Sequence, residues 1–252
     1  MRLIPVIVSL IILALYSSTA SSQLADTIEQ IKPSVVGVGT FNKLNSPRAT
    51  LRGTGFAVSG NVIATNAHVI PKTLNQQQKE RLVVFVGQGR SPQLRYATLL
   101  ASNQQHDLAL LKIEGEPLRP MRVSNQTVRE GERYAFTGFP IGAVLGLYPV
   151  THRGIISSIT PVVIPARSAR ELNPAQLKRL KAPYNVYQLD ATAYPGNSGS
   201  PLYHPDTGEV IGIINKVFVK TTKEAVLSNP SAISYAIPVK YLKQLLATVK
   251  PQ

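Results

Sequence analysis

The stretch Tyr194-Pro195-Gly196-Asn197-Ser198-Gly199-Ser200-Pro201 sets one serine hydroxyl between two glycines, behind a Pro-Gly turn and ahead of an apolar run. Glycine lets a chain bend sharply and leaves its N–H groups unobstructed. Such N–H groups, aimed at one point beside a hydroxyl, can hold the oxyanion that forms when a serine attacks a carbonyl. The same composition also makes ordinary turns, so the loop needs partners before it means chemistry. Two candidates stand upstream. His68 closes the apolar run Val62-Ile63-Ala64-Thr65 on a local turn, and Asp107 immediately precedes Leu108-Ala109-Leu110-Leu111. A carboxylate at the mouth of a buried strand is costly unless it is hydrogen-bonded, and a histidine N–H is a suitable donor. Together the three fit one mechanism. His68 takes the Ser198 proton and returns it to a leaving amine, while Asp107 fixes the imidazole tautomer and stabilises the imidazolium. His106, His152 and His204 have no part in this scheme and read as structural or surface residues.

The elements that must position these groups are short strands. Leu24–Ile31 has a helical period and ends at Lys32-Pro33. Strands are predicted at 34–40, 53–58, 62–65, 82–86, 95–100 and 108–113, with a polar loop over 42–50. A Pro/Gly-containing connection follows, and then strands at 134–140, 150–159, 186–189, 209–214 and 234–237. Asp206-Thr207-Gly208 is a hairpin signal, and Val239–Val249 closes the chain as an amphipathic helix. This pattern is all-β, with helix only at the ends. It divides into two barrels: an N-terminal one over about 34–125 with His68 and Asp107, and a C-terminal one over about 126–240 with Ser198.

Composition bounds the chemistry. The 252 residues contain no cysteine, which excludes disulfides, a thiol nucleophile and cysteine-ligated metal sites. No metal site and no cofactor motif is legible. The formal charge is +14, but Lys and Arg are scattered, with no nucleic-acid motif, so no nucleic-acid partner is expected. Met1-Arg2, an apolar run from Leu3 to Leu15 and Ser17-Ser18-Thr19-Ala20 describe a signal peptide over residues 1–20. The mature domain is then 21–252, secreted or periplasmic, with no stable membrane insertion unless the leader is retained as an anchor.

Beyond the triad residues, further blocks follow one another in a familiar order. They are Lys32-Pro33-Ser34-Val35-Val36, Gly53-Thr54-Gly55-Phe56, Thr65-Asn66-Ala67-His68-Val69, Asp107-Leu108-Ala109-Leu110-Leu111-Lys112, Gly138-Phe139-Pro140, Gly154-Ile155-Ile156-Ser157 and Asp190 through Gly199. The chain resembles the trypsin-like serine proteases, and the HtrA/Deg group most closely, over nearly its whole mature length. Its order His…Asp…Ser is that of the chymotrypsin-like arrangement and opposite to that of α/β-hydrolases. The resemblance implies two six-stranded antiparallel β-barrels with short terminal helices. It also implies a serine endopeptidase acting on protein or peptide substrates as a monomer or trimer. Its site would use His68 as base, Asp107 as orienter and Ser198 as nucleophile. The oxyanion hole would come from Gly196 and Ser198, with Asn197 between them.

The departures from that family carry information too. Ser200 stands where the group usually has a second glycine, a feature shared with secreted glutamyl endopeptidases. Ile214 stands where those enzymes carry a histidine for acidic side chains. By the same alignment Thr192, Ile214, Asn215 and Lys216 wall the primary specificity pocket and favour a small or medium apolar residue. An inward Lys216 would instead favour an acidic one. The chain ends before the PDZ module usual in HtrA proteins, and residues 161–183 form a basic insertion that reads as a solvated helix face. The alternative from another class is a catalytically weak, protease-like binding or chaperone protein.

Overall fold

The computed structural model describes residues 23–140, 146–162, 183–215 and 234–249. The leader at 1–20, most of the basic insertion and Lys216 lie outside the described residues. Helix α1 (Gln23–Ile31) and a 3₁₀ turn at Lys32–Ser34 lead into β1 (Val35–Phe41), β2 (Ala49–Ser59) and β3 (Val62–Thr65). A second 3₁₀ turn, Ala67–Val69, carries His68. Then come β4 (Arg81–Val86), β5 (Gln93–Asn103) and β6 (Leu108–Ile113). The second half holds β7 (Arg133–Gly138), β8 (Val150–Pro161), β9 (Asn185–Leu189), β10 (Pro201–Tyr203), β11 (Val210–Asn215) and β12 (Ser234–Pro238), closed by α2 (Val239–Leu246).

These strands form two closed six-stranded antiparallel barrels, β1-β2-β3-β6-β5-β4 and β7-β8-β9-β12-β11-β10. The strand order is the same in both, although the two halves of the sequence show no internal repeat. Closure removes every unpaired sheet edge, a liability for an all-β chain.

Side-chain alternation explains why β6 is apolar at every position but Lys112. Leu111 and Ile113 fill the first barrel with Val36, Val38, Ile63 and Val84. Leu108 and Leu110 face the other way, into a core shared with Phe139, Tyr203, Ile213 and Ile237 of the second barrel. A strand buried on both faces has no polar position to alternate with. The second barrel's own interior is built on Phe136, Ile156, Leu189, Leu202 and Ile211. Helix α2 lays Val239, Leu242 and Leu245 onto the shared core, and so adds a third apolar surface between the barrels.

Several bounds differ from the sequence expectation, among them those of two elements. Strand β2 begins at Ala49, inside the stretch read as a polar loop, because Ala49, Thr50 and Leu51 pair with Phe41, Thr40 and Gly39 of β1. Cross-strand pairing of this kind overrides local composition. Helix α2 stops at Leu246 rather than Val249, and its last residues continue as turns with Ala247 and Thr248 donating to Lys243 and Leu245 carbonyls.

The shared core makes the barrels energetically one unit. Phe56, with no exposed surface, is part of it. Phe56→Ala is expected to lower unfolding free energy by about 3–5 kcal/mol, read from urea titration in a single transition. Two separated transitions would show that the barrels unfold independently.

Candidate active site

Asp107 precedes β6 in a left-handed conformation, φ 53°, a region that asparagine and aspartate tolerate better than most residues. The residue is buried, and its three oxygens are all engaged. Oδ1 accepts from the His68 backbone N–H at 2.8 Å. Oδ2 lies 2.6 Å from His68 Nδ1 and accepts from the Asn215 side-chain amide at 2.7 Å. The Asp107 carbonyl accepts from Ala67 N–H and the Asn66 amide, both at 3.1 Å. A carboxylate only accepts, so this arrangement places the imidazole hydrogen on Nδ1 and leaves Nε2 with its lone pair. About a third of the His68 side chain is exposed, so that lone pair has access to the cleft.

The serine loop is set by two turns. Asn197 N–H donates to the Tyr194 carbonyl at 3.0 Å, and Gly196 has φ 101°. Pro at the second position and a positive-φ glycine at the third are the requirements of a type II turn. Ser200 N–H then closes on the Asn197 carbonyl at 3.0 Å. Gly199, φ 89°, passes so close to β2 that a Cβ there would strike the Thr54 carbonyl and the Thr65 hydroxyl. The loop leaves into β10 through reciprocal bonds with Ile214: Gly199 N–H to the Ile214 carbonyl and Ile214 N–H to the Ser200 carbonyl, each at 2.9 Å. Asn197, Gly199 and Ser200 thus spend their N–H groups inside the fold. Among the described residues, those of Gly196 and Ser198 donate to nothing.

Thr54 joins this loop to the other barrel. Its N–H donates to the Ser198 carbonyl at 2.8 Å, and its hydroxyl donates to the Gly196 carbonyl at 2.7 Å while accepting from Phe139 N–H at 3.0 Å. Its carbonyl accepts from the hydroxyl of Thr65, three residues before His68, at 2.7 Å. One residue of β2 therefore touches the backbone on both sides of Asn197, together with the strand that delivers His68. No local signal in the sequence marks it beyond the block Gly53-Thr54-Gly55-Phe56.

Three of the four residues aligned to the specificity pocket are described, and they separate. Ile214 is fully buried in the second barrel's core with Ala191 and Ala193, and Thr192 is half-buried between those alanines in sequence. Asn215 is buried, and its side-chain amide turns to Asp107. The sequence reading put it on a pocket wall because alignment fixes where a residue lies along a strand, not where its side chain finds an acceptor. The Asn197 amide and the Ser200 hydroxyl are buried without a hydrogen-bond partner among the described residues. No group of three His, Cys, Asp or Glu able to hold a metal occurs among the described residues.

Comparison with known proteins gives the family of this fold. A family described as "Trypsin-like peptidase domain" matches residues 53–213, more than half of the chain. The chain belongs to that family. "Serine protease HTRA1B" of Danio rerio is 31% identical over 229 residues, covering 89% of this chain and 40% of that protein. A "Probable periplasmic serine endoprotease DegP-like" of Halomonas elongata is 29% identical over 193 residues, covering 74% of this chain and 32% of that protein. The chain thus spans two fifths or less of the length of these relatives. The solved serine endoprotease of Yersinia pestis superposes with a TM-score of 0.62 at 24% identity, covering 91% of this chain and 67% of that one. That likeness shows the shared two-barrel fold.

His106 and His152 pack among aromatic rings. His106 stacks on Tyr241 with ring centroids 4.1 Å apart and meets Tyr184 edge-on at 4.6 Å, which ties the residue before Asp107 to α2. His152 stacks on Phe136 at 4.9 Å, with Tyr194 of the serine loop 6.2 Å away. Its Nε2 is buried without a partner among the described residues, and burial pulls its pKa below the usual imidazole value.

Two outcomes follow from this packing. Thr54→Val removes the hydroxyl shared by Gly196 and Phe139 while keeping the branched shape. It is expected to cost about 1–3 kcal/mol, the penalty for stranding buried polar groups, measured by denaturant titration. For His152 the folded pKa lies below the unfolded one, so its stabilising contribution is complete above about pH 6.5 and is lost as pH falls through the folded value. His152→Phe should therefore flatten the fall in melting temperature between pH 8 and pH 5. Parallel pH profiles for the two proteins would rule this out.

Proposed function

We propose that this chain is a serine endopeptidase acting outside the cytoplasm, with Ser198 as nucleophile, His68 as general base and Asp107 as the group that orients His68. The observation that carries this reading is the pair of unspent N–H groups on Gly196 and Ser198, held rigidly on either side of a residue whose own N–H is consumed. A serine hydroxyl beside two free donors is built to receive negative charge on an oxygen. The Asp107–His68 pair at 2.6 Å, carried on the far side of Thr54, supplies the complementary base.

The steps follow from this geometry. Ser198 Oγ attacks the substrate carbonyl carbon as its proton passes to His68 Nε2. The carbonyl π electrons move to oxygen, where the Gly196 and Ser198 N–H groups receive them. The imidazolium is stabilised by Asp107, whose two oxygens hold the ring side-on through Nδ1–H and the His68 backbone N–H. The tetrahedral species collapses, the C–N bond breaks, and the amine leaves with the proton from Nε2. Water then repeats the sequence on the acyl-enzyme and frees Ser198. Losing one oxyanion donor in an enzyme of this chemistry costs about 10²–10³ in turnover.

Thr192, half-buried, would line the pocket for the residue before the cleaved bond, and Ile214, which has no exposed surface, would only back it; their size favours a small or medium apolar side chain. The extracytoplasmic location rests on the leader and on the periplasmic naming of the Halomonas elongata relative. Among the described residues no helix is long and apolar enough to cross a membrane.

A fluorophosphonate probe is expected to label the wild type at Ser198 and to leave Ser198→Ala unlabelled, with casein digested only by the wild type. An unlabelled, folded wild type that protects a protein substrate from aggregation as well as Ser198→Ala does would replace this reading with a binding or chaperone role.

A further inference from the structure

Beside His68, on its first-barrel side, lies a cavity of about 510 Å³. Its lining combines two chemistries. Ile70, Pro71 and Leu99 give it an apolar floor, and Leu99, on β5, is 49% exposed. Arg52 and Lys72 stand at its rim. Arg52 is anchored: its Nε–H donates to the Val69 carbonyl at 2.8 Å, which leaves the four Nη hydrogens of its fork unassigned. Among the described residues neither cation has a carboxylate within ion-pair distance. Asp107, bonded to the His68 that lines the cavity, is buried and committed to His68 and Asn215. An apolar floor under two unneutralised cations, one fixed by the backbone that follows His68, matches a side chain with an aliphatic stem and an anionic end.

We propose that this cavity is a substrate subsite for an acidic residue flanking the cleaved bond, with glutamate fitting best. Its two methylenes lie along Leu99 and Ile70, and its carboxylate meets the Arg52 fork, with Lys72 adding attraction. The inference rests on the endopeptidase reading for its meaning as a subsite, and it adds a substrate class that the Thr192 and Ile214 pocket does not supply. It also assigns the acidic preference to the first barrel, separate from the residue before the scissile bond.

Binding separates this proposal from the catalytic one. Calorimetry on Ser198→Ala would use decapeptides with a central Ala-Val step and Glu, Gln or Lys at one of the four neighbouring positions. At one position the Glu peptide is expected to bind about five-fold tighter than the Gln peptide, the scale of two exposed ion pairs. The ratio should shrink towards one in 0.5 M salt, as screening requires. Adding Arg52→Gln and Lys72→Gln should bring the ratio to about one, and Lys72→Glu alone, which leaves the Arg52 anchor intact, should lower it and favour the Lys peptide. Equal affinity for Glu and Gln at all four positions, or a ratio that survives loss of both cations, overturns the subsite whatever the probe does at Ser198. Failure of fluorophosphonate labelling with the Glu preference intact would overturn the endopeptidase reading and leave the acidic site standing.

Discussion

A buried carboxylate holds this site together. Moving Asp107 out of water is strongly unfavourable unless every lone pair finds a donor, and here the donors come from three places. His68 provides two, from its own backbone and ring, and Asn215 provides the third from β11 of the opposite barrel. Neither barrel alone could satisfy the group. The cost of burial therefore couples formation of the His68 turn to docking of the second barrel, and the imidazole orientation is a consequence of the fold's assembly.

Thr54 is the counterpart on the serine side. Its N–H, hydroxyl and carbonyl bind the Ser198 carbonyl, the Gly196 carbonyl and the Thr65 hydroxyl. With these carbonyls pulled towards β2, the loop keeps the positive-φ turn that leaves the Gly196 and Ser198 N–H groups unspent. Gly199 can have no side chain because the backbone of β2 is in contact there. The unspent Gly196 and Ser198 N–H groups are thus held from across the barrel interface as much as by the Pro195-Gly196 turn itself.

The shared apolar core explains why such coupling is rigid. Leu108 and Leu110 pack on the same cluster as Tyr203, Ile213 and Leu242, so Leu108, next to Asp107, and Ile213, two residues before Asn215, lie in one close-packed interior. Interiors at that density resist sub-ångström displacement. The polar bonds at the site are thereby kept at their lengths by apolar packing on either side of it.

Much of this was legible in the chain. Ser198 between glycines, Asp107 at the mouth of an apolar run and His68 at the end of another are local patterns, and local patterns survive in a one-dimensional reading. So do short strands, because alternation and turn residues repeat over a few positions. The start of β2 at Ala49, the Thr54 contacts and the direction of the Asn215 side chain were not legible. Each depends on a partner far away in sequence, 142 residues for the Thr54–Gly196 bond and 108 for Asn215–Asp107. The sequence by itself determined which groups could do the chemistry. Only the tertiary structure decided which of them bond to one another, as His68, Asp107 and Asn215 do, because a hydrogen bond depends on distance and direction in space, and the chain order carries neither.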